Sequence, residues 1–393
     1  MENNNNLKRA ILLKQDTPMW HFQPNQSGCC LRATEVKPKL DKFLIKLVDF
    51  QDSYYLDKSK NNALDYKLWF EPIGCPKEIP IEKPLKDKFG NPKLNKKGEQ
   101  VYSNLYPLFF ANMGATDRDK KQLVYYPNGV TMHLFSFNTD LLNFIEEHLP
   151  AFFASHSFGT RQDKGFGFFS LKDKPLKPLD LSGAKYVFEL PNKIGKNNFE
   201  SLFQYINYFH KMIRSGIDEP HNKIKYKSFM QSYSEEENCT WDKSSIKNHL
   251  LGQKEVKITD REYLFRDVLG LATSQEWKKN KTNISISAKN VDRFKSPILY
   301  RPIFNKKENL WKIYIYLNDE ELKKLKGVDF KIKSSANKEN ILFLKIYNEN
   351  QIFNLNDYFD FIITAKYSFA KNPYNIDLNY IFKKLKKNEN TTK

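Results

Sequence analysis

The sequence predicts an α+β protein of two tandem ferredoxin-like (RRM-like) βαββαβ units, the second enlarged by a helical insertion. Three observations lead there. Residues 7–171 alternate as strand, helix, strand, strand, helix, loop and strand. A proline-rich link, LKDKPLKPLDLSGAK, follows, and the same kind of pattern restarts beyond it. The chain has 393 residues with 40% hydrophobic and 15% aromatic content, enough to bury two cores. The units are drawn at 1–172 and 173–393.

In the first unit LKRAILLK is an aliphatic strand, followed by a loop carrying Trp20, His21, Phe22, Pro24 and Gly28. Residues 31–50 place Val36, Leu40, Phe43, Leu44 and Leu47 at helical spacing, and Pro38 sets the expected start of that helix. YKLWF is a second strand. Five prolines and many lysines over 72–100 break regular structure, which leaves either a protruding hairpin or a formless surface insertion. NGVTMHLFSF alternates as a strand, and the helix after it has Asn138 or Thr139 as its cap and a break expected at Pro150. That helix runs into the glycine-rich stretch FGTRQDKGFGFF, residues 158–169, whose end is the last strand.

The second unit opens with the strand AKYVFEL and an amphipathic helix ending at Gly216. A charged, mostly helical insertion spans about 217–276. NISISAKN, SPILYRPIF, LWKIYIYL, DFKIKSS and ILFLKIY are strands, and NLNDYFDFIITAKYSF is a helix. The basic tail IFKKLKKNENTTK is expected to fray.

Sixty-four Lys and Arg against 46 Asp and Glu leave a net charge of +18. Such an excess attracts polyanions, nucleic acid first among them, although an Asn- and Lys-rich composition also produces it. The four cysteines (29, 30, 75 and 239) lack CxxC spacing, so neither a zinc site nor a disulfide framework is indicated. The N-terminus lacks the apolar stretch of a secretion signal, and no apolar run approaches the ~20 residues that span a bilayer. A cytoplasmic protein without membrane contact is expected.

Residues 158–169 bear the chemistry. Gly159, Gly165 and Gly167 surround Arg161 and Lys164, a composition suited to turning amide N–H groups and cations toward phosphate. Nucleotide-binding folds place their glycines between a strand and the following helix. Here a helix precedes and a strand follows, which favours a polynucleotide backbone crossing the sheet edge over a mononucleotide.

Four stretches together resemble the RAMP proteins, the RNA-binding subunits of CRISPR systems, and in particular the first-named RAMP subunit of the type III-B (Cmr) effector module. They are LRATEVKPKLDKFLIK, FGTRQDKGFGFF with its G-x-R-x-x-x-G-F-G pattern, YLFRDVLGLA and RFKSPILYRPI. The resemblance implies a non-catalytic subunit near the 3′ end of the CRISPR RNA, with that RNA, target RNA and other RAMP subunits as partners and no cofactor. On that basis Gly159, Gly165 and Gly167 let the loop approach RNA while Arg161 and Lys164 contact phosphates. Arg32, Lys37 and Lys39 add charge at a helix start. Trp20 and Phe22 either stack bases or pack under the helix. Arg293, Lys295 and Arg301 form either a second contact surface or ordinary solvated strand ends.

Two other classes remain. RAMP relatives that process guide RNA use a general acid/base, for which His21, then His156, is the candidate. Metal-dependent target cleavage needs a loop aspartate, and Asp16 and Asp163 are available. The third class is a protein-only scaffold whose aromatics serve subunit interfaces.

Overall fold

In the computed structural model the described residues are 7–20, 31–56, 63–87, 89–105, 123–219, 223–252, 257–271, 273–277, 281–289, 291, 294–336, 339–346, 353–370 and 376–389. His21, Phe22, Arg293 and the Cys29–Cys30 pair lie outside them.

The first half contains β1 (Lys8–Gln15), β2 (Met19–Trp20), α1 (Ala33–Ile45), β3 (Lys67–Pro72), β4 (Lys77–Ile79), β5 (Glu82–Pro84), β6 (Tyr102–Asn104), β7 (Leu123–Tyr125), β8 (Val130–Phe135), α2 (Thr139–Ser155) and β9 (Phe169–Leu171). Its main sheet has the order β3-β8-β1-β9, with every neighbouring pair antiparallel. Alternation sends Leu13, Leu68, Met132 and Leu134 inward, where they join Val36, Leu40 and Leu44 of α1 and Leu141, Ile145 and Phe152 of α2. A small sheet, β2-β7-β4, runs beside it.

Both proline expectations in these helices are corrected. α1 begins at Ala33, five residues before Pro38, and α2 runs unbroken through Pro150. A proline removes one N–H, and the carbonyl that loses its partner in α1 belongs to the exposed Thr34. Buried leucines and phenylalanines on one face of each helix outweigh the loss. Asn138 caps α2 by accepting from the Leu141 N–H at 3.0 Å. The proline- and lysine-rich stretch is an exposed ribbon with nested turns. β5 pairs with β6, and inside them Lys86 bridges to Pro92 and Leu94 to Gln100.

The second half contains β10 (Tyr186–Glu189), α3 (Phe199–Arg214), β11 (Ile217–Glu219), β12 (Ile224–Tyr226), α4 (Phe229–Glu236), α5 (Asp242–Leu251), β13 (Ser274–Trp277), β14 (Thr282–Ala288), β15 (Ile298–Asn305), β16 (Leu310–Leu317), α6 (Asp319–Lys323), β17 (Asp329–Ser334), β18 (Ile341–Lys345), α7 (Leu355–Thr364), α8 (Leu378–Lys383) and β19 (Lys386–Lys387). Its main sheet has the order β15-β16-β10-β19, again antiparallel throughout. Read by chain position, both main sheets run second, third, first, last.

Two expectations for this half are corrected. NISISAKN, DFKIKSS and ILFLKIY do form strands, but they join β13 in a separate sheet, β13-β14-β17-β18. The basic tail does not fray over its described part. Leu378, Ile381 and Phe382 bury one side of α8, and β19 closes the main sheet by pairing Val187 with Lys386. The Asn388 amide then donates to the Leu181 and Ala184 carbonyls at 2.9 Å.

Candidate nucleic-acid interface

The glycine loop is a keystone between the halves. Gly167 has φ +69°, and a Cβ there would lie 1.8 Å from the Phe158 carbonyl oxygen, so only glycine lets these two strands of backbone meet. The Phe158 N–H donates to Gly167 O at 2.9 Å and locks the closure. Gly165, φ +90°, abuts Ile206 of α3 and Pro302 of β15 in the second half. The glycines thus accommodate the protein's own chain, where the sequence suggested an approach to RNA.

The seat for an anion is filled from within. Glu35 on α1 accepts from the Gly159 N–H at 3.2 Å, from Gln162 Nε2 at 2.9 Å and from Lys39 Nζ at 3.1 Å. Lys39 also donates to the Ser157 carbonyl and to Gln162 Oε1, both at 3.0 Å. Burial draws the Lys39 ammonium below its ordinary range in spite of Glu35, and Lys295 adds to that pull. Lys37 is similarly engaged, with Asp41 and the Leu64 carbonyl each at 2.8 Å and the Tyr66 ring beneath it. Arg32, half-buried, is the extended residue leading into α1, and its side chain does not cap the helix. Lys295 is exposed.

The loop's own cations point inward. The Arg161 guanidinium lies 3.9 Å over the Trp20 ring, and Trp20 is buried, so packing is its fate in place of base stacking. Lys164 Nζ sits 3.1 Å from His210 Nε2, and His210 Nδ1 is 3.0 Å from the Tyr300 hydroxyl. Burial pulls Lys164 down to about 7 and His210 well below the ordinary histidine range. Arg301 is corrected most sharply. It is fully buried, with its guanidinium 2.8 Å from Asp16 and 3.2 Å from the Phe169 carbonyl, and at that depth it presents nothing to a ligand. Burial raises the Asp16 carboxyl, but Arg301 and Lys14 outweigh it and hold the group below its usual range. Both aspartate and arginine therefore serve the seam between the halves.

The same geometry bears on acid/base chemistry. His156 stacks on Phe152 at 4.5 Å, and burial lowers it to about 4, so it is a neutral packed ring at pH 7. Among the described residues no group of three or more His, Cys, Asp or Glu is arranged to hold a metal ion. No helix among them is long and apolar enough to cross a membrane.

The sequence did not reveal a groove of about 520 Å³ lined by Lys77, Ile79, Tyr125, Lys196 and Phe199, and by Glu200, which pairs with Lys83 at 3.4 Å. Its walls come from β4, β7 and the start of α3, three pieces far apart in the chain, so no local pattern announces it. Tyr125 and Phe199 meet at 5.3 Å along it. Burial lowers Lys196 from its ordinary range, and Lys14 and Lys306 repel its charge further. A strip of backbone connects the groove to the glycine loop: Thr160 bridges to Trp20 of β2, β2 pairs with β7, and β7 with β4.

Two similarly ordered sheets, a glycine keystone and a cationic seam describe a two-half α+β protein, and family comparison gives the class: a CRISPR-associated RAMP protein of the type III-B Cmr system. The model of the Cmr1 N-terminal domain matches residues 6–217, and that of the Cmr1 C-terminal domain matches residues 225–387. The chain belongs to the Cmr1 family. Among solved structures it is similar to Cmr1 from Pyrococcus furiosus (apo form), at 12% identity over 79% of this chain and 88% of that one, with a TM-score of 0.38. No curated protein matches it.

Proposed function

We propose that this chain is a non-catalytic RNA-binding subunit of a type III CRISPR effector ribonucleoprotein. It contacts CRISPR RNA, target RNA or both near the guide 3′ end, beside other subunits of the Cmr complex. Both halves are read as ferredoxin-like units, in agreement with the two sheet orders. The observation that carries the RNA reading is the cationic groove at the seam, which Lys77 and Lys196 line together with Tyr125 and Phe199, with Lys14 and Lys306 close to Lys196. Cations beside aromatic rings suit a single strand, whose phosphates and bases need both.

The glycine loop acts indirectly in this reading. Gly159, Gly165, Gly167, Arg161 and Lys164 hold the halves in register. Arg32 and the exposed Lys295 then supply charge on one flank and the groove supplies it on the other, while Lys37 and Lys39 stay engaged with Asp41 and Glu35. The test is fluorescence anisotropy with a labelled oligoribonucleotide over a range of salt. The double variant K77A/K196A is expected to bind about tenfold more weakly, with a salt slope smaller by about two phosphate contacts. A wild-type protein that binds no RNA even at low salt would overturn the reading in favour of a protein-only scaffold. No observation favours the ribonuclease alternative, which predicts repeat-RNA cleavage abolished by H21A.

A further inference from the structure

The helices α1 and α2 cover only one face of the first main sheet. The opposite face carries Trp69 and Glu71 of β3, Thr131, His133 and Phe135 of β8, and Lys8 of β1. Trp69 and His133 are directly paired across the strands and stack at 4.9 Å with their planes 10° apart. One carboxylate lies against both rings. Trp69 Nε1–H donates to Glu71 Oε1 at 3.3 Å, and His133 Nε2 lies 3.2 Å from Glu71 Oε2. Trp69 is 38% exposed and sits on the edge strand, so its ring has solvent beside it. Further along, Phe137, 81% exposed, meets Phe135 edge-on at 5.0 Å. Lys8 and Lys67, both exposed, flank Phe135 on either side.

We infer that this sheet face is a second RNA-contact surface, distinct from the seam, on which bases of a single strand stack against Trp69 and its neighbouring rings. The inference rests on the RNA-binding reading above and gives it a base-contacting element. The arrangement of charge selects the occupant. Both lysines lie at the Phe135 end and the carboxylate lies at the other, so phosphates settle beside Lys8 and Lys67 while Glu71 keeps the backbone away from Trp69. Glu71 also holds lone pairs toward which a base's exocyclic amino group can donate. A protein partner wants a continuous apolar patch, and here charged side chains interrupt the rings. An open four-stranded sheet bearing stacked aromatics is a physical form that reads single-stranded RNA.

The test compares an intact oligoribonucleotide with one of equal length and charge carrying several central abasic positions, by fluorescence anisotropy. Wild-type protein is expected to prefer the intact strand by about tenfold. W69A, alone or with H133A, is expected to erase that preference, while W69F, which keeps a ring on the edge strand, retains most of it. Thermal melting confirms that the variants fold, and W69L, which keeps apolar bulk but has no aromatic face and is expected to lose the preference, supplies the answer should W69A fail to. An unchanged preference in folded W69A overturns the inference while the RNA reading stands. So does a loss of assembly with other Cmr subunits at unaltered RNA preference, which marks a protein surface. Absence of RNA binding by the wild type overturns the reading and the inference together.

Discussion

Arg301 and Asp16 illustrate how a residue's surroundings rewrite its chemistry. In sequence Arg301 is a cation beside a proline at a strand, suited to a phosphate. In the fold it is a buried counter-ion 2.8 Å from Asp16, and removing it leaves that interior carboxylate only Lys14 and Ser170 as side-chain partners among the described residues. R301A is expected to destabilise the protein by about 3–5 kcal/mol in urea unfolding, and R301M with D16N to recover part of that loss. G167A is expected to cost about 3 kcal/mol or more, because the new methyl collides with backbone and φ +69° is itself strained for alanine. The sequence made Gly167 conspicuous but left its neighbour open, since glycine serves a close approach whether the visitor is RNA or the protein's own carbonyl.

His156 and Lys164 extend that residue-level logic to pH. The folded His156 titrates near 4 against an ordinary 6.5, so between those values the unfolded chain binds a proton that the folded one refuses. Stability therefore falls as pH drops from 6.5 to 4. Lys164 behaves alike in a higher window: folded near 7 and ordinary near 10.5, it makes stability fall as pH drops from 10.5 to 7. Urea midpoints measured across each window check both signs. H156F, which keeps the stack on Phe152, is expected to flatten the lower slope, and K164M the upper one.

At the level of elements, periodicity was a sound guide to type and a poor one to partnership. The strands NISISAKN and DFKIKSS alternate cleanly, with Ile284 and Ile286 on one side and Phe330 and Ile332 on the other strand's matching side. Alternation reports that one face is buried, and a sheet of its own buries that face as well as a shared sheet does. The tail shows the converse. Its lysines hid a short helix whose Leu378, Ile381 and Phe382 are buried, and a two-residue strand is too short to leave any periodic signal. Truncation after Lys384 removes β19 and the Asn388 bonds and uncovers the edge of β10. The melting temperature is expected to drop on the order of 5 °C, measured by circular dichroism.

For the whole molecule, the order β1, α1, β3, β8, α2 in the first half was legible because these elements run from six to 17 residues, whereas β2 and β7, of two and three residues, left no periodic signal. The candidate site was less so. Loop, α1 and the SPIL segment do come together, as Gly165 against Pro302 and Lys39 near Lys295 demonstrate, but as a sealed joint. The cationic groove is made by bringing Lys77 beside Lys196, a juxtaposition that only tertiary packing creates. The charge of +18 was the one global property that pointed to a polyanion from the start, and a steep salt dependence of oligoribonucleotide affinity is the whole-molecule signature that the proposed function predicts.

Glu35 gives this seam a property of timing. Because an internal carboxylate already satisfies the Gly159 amide and the Gln162 and Lys39 side chains, the keystone is complete before any nucleic acid arrives. Amide hydrogen exchange over the described loop is expected to be slow in the RNA-free protein and little changed by RNA. On the proposed RNA-binding reading the two halves are a pre-cast mould: the chain hardens first, and the RNA meets a shape that it had no part in setting.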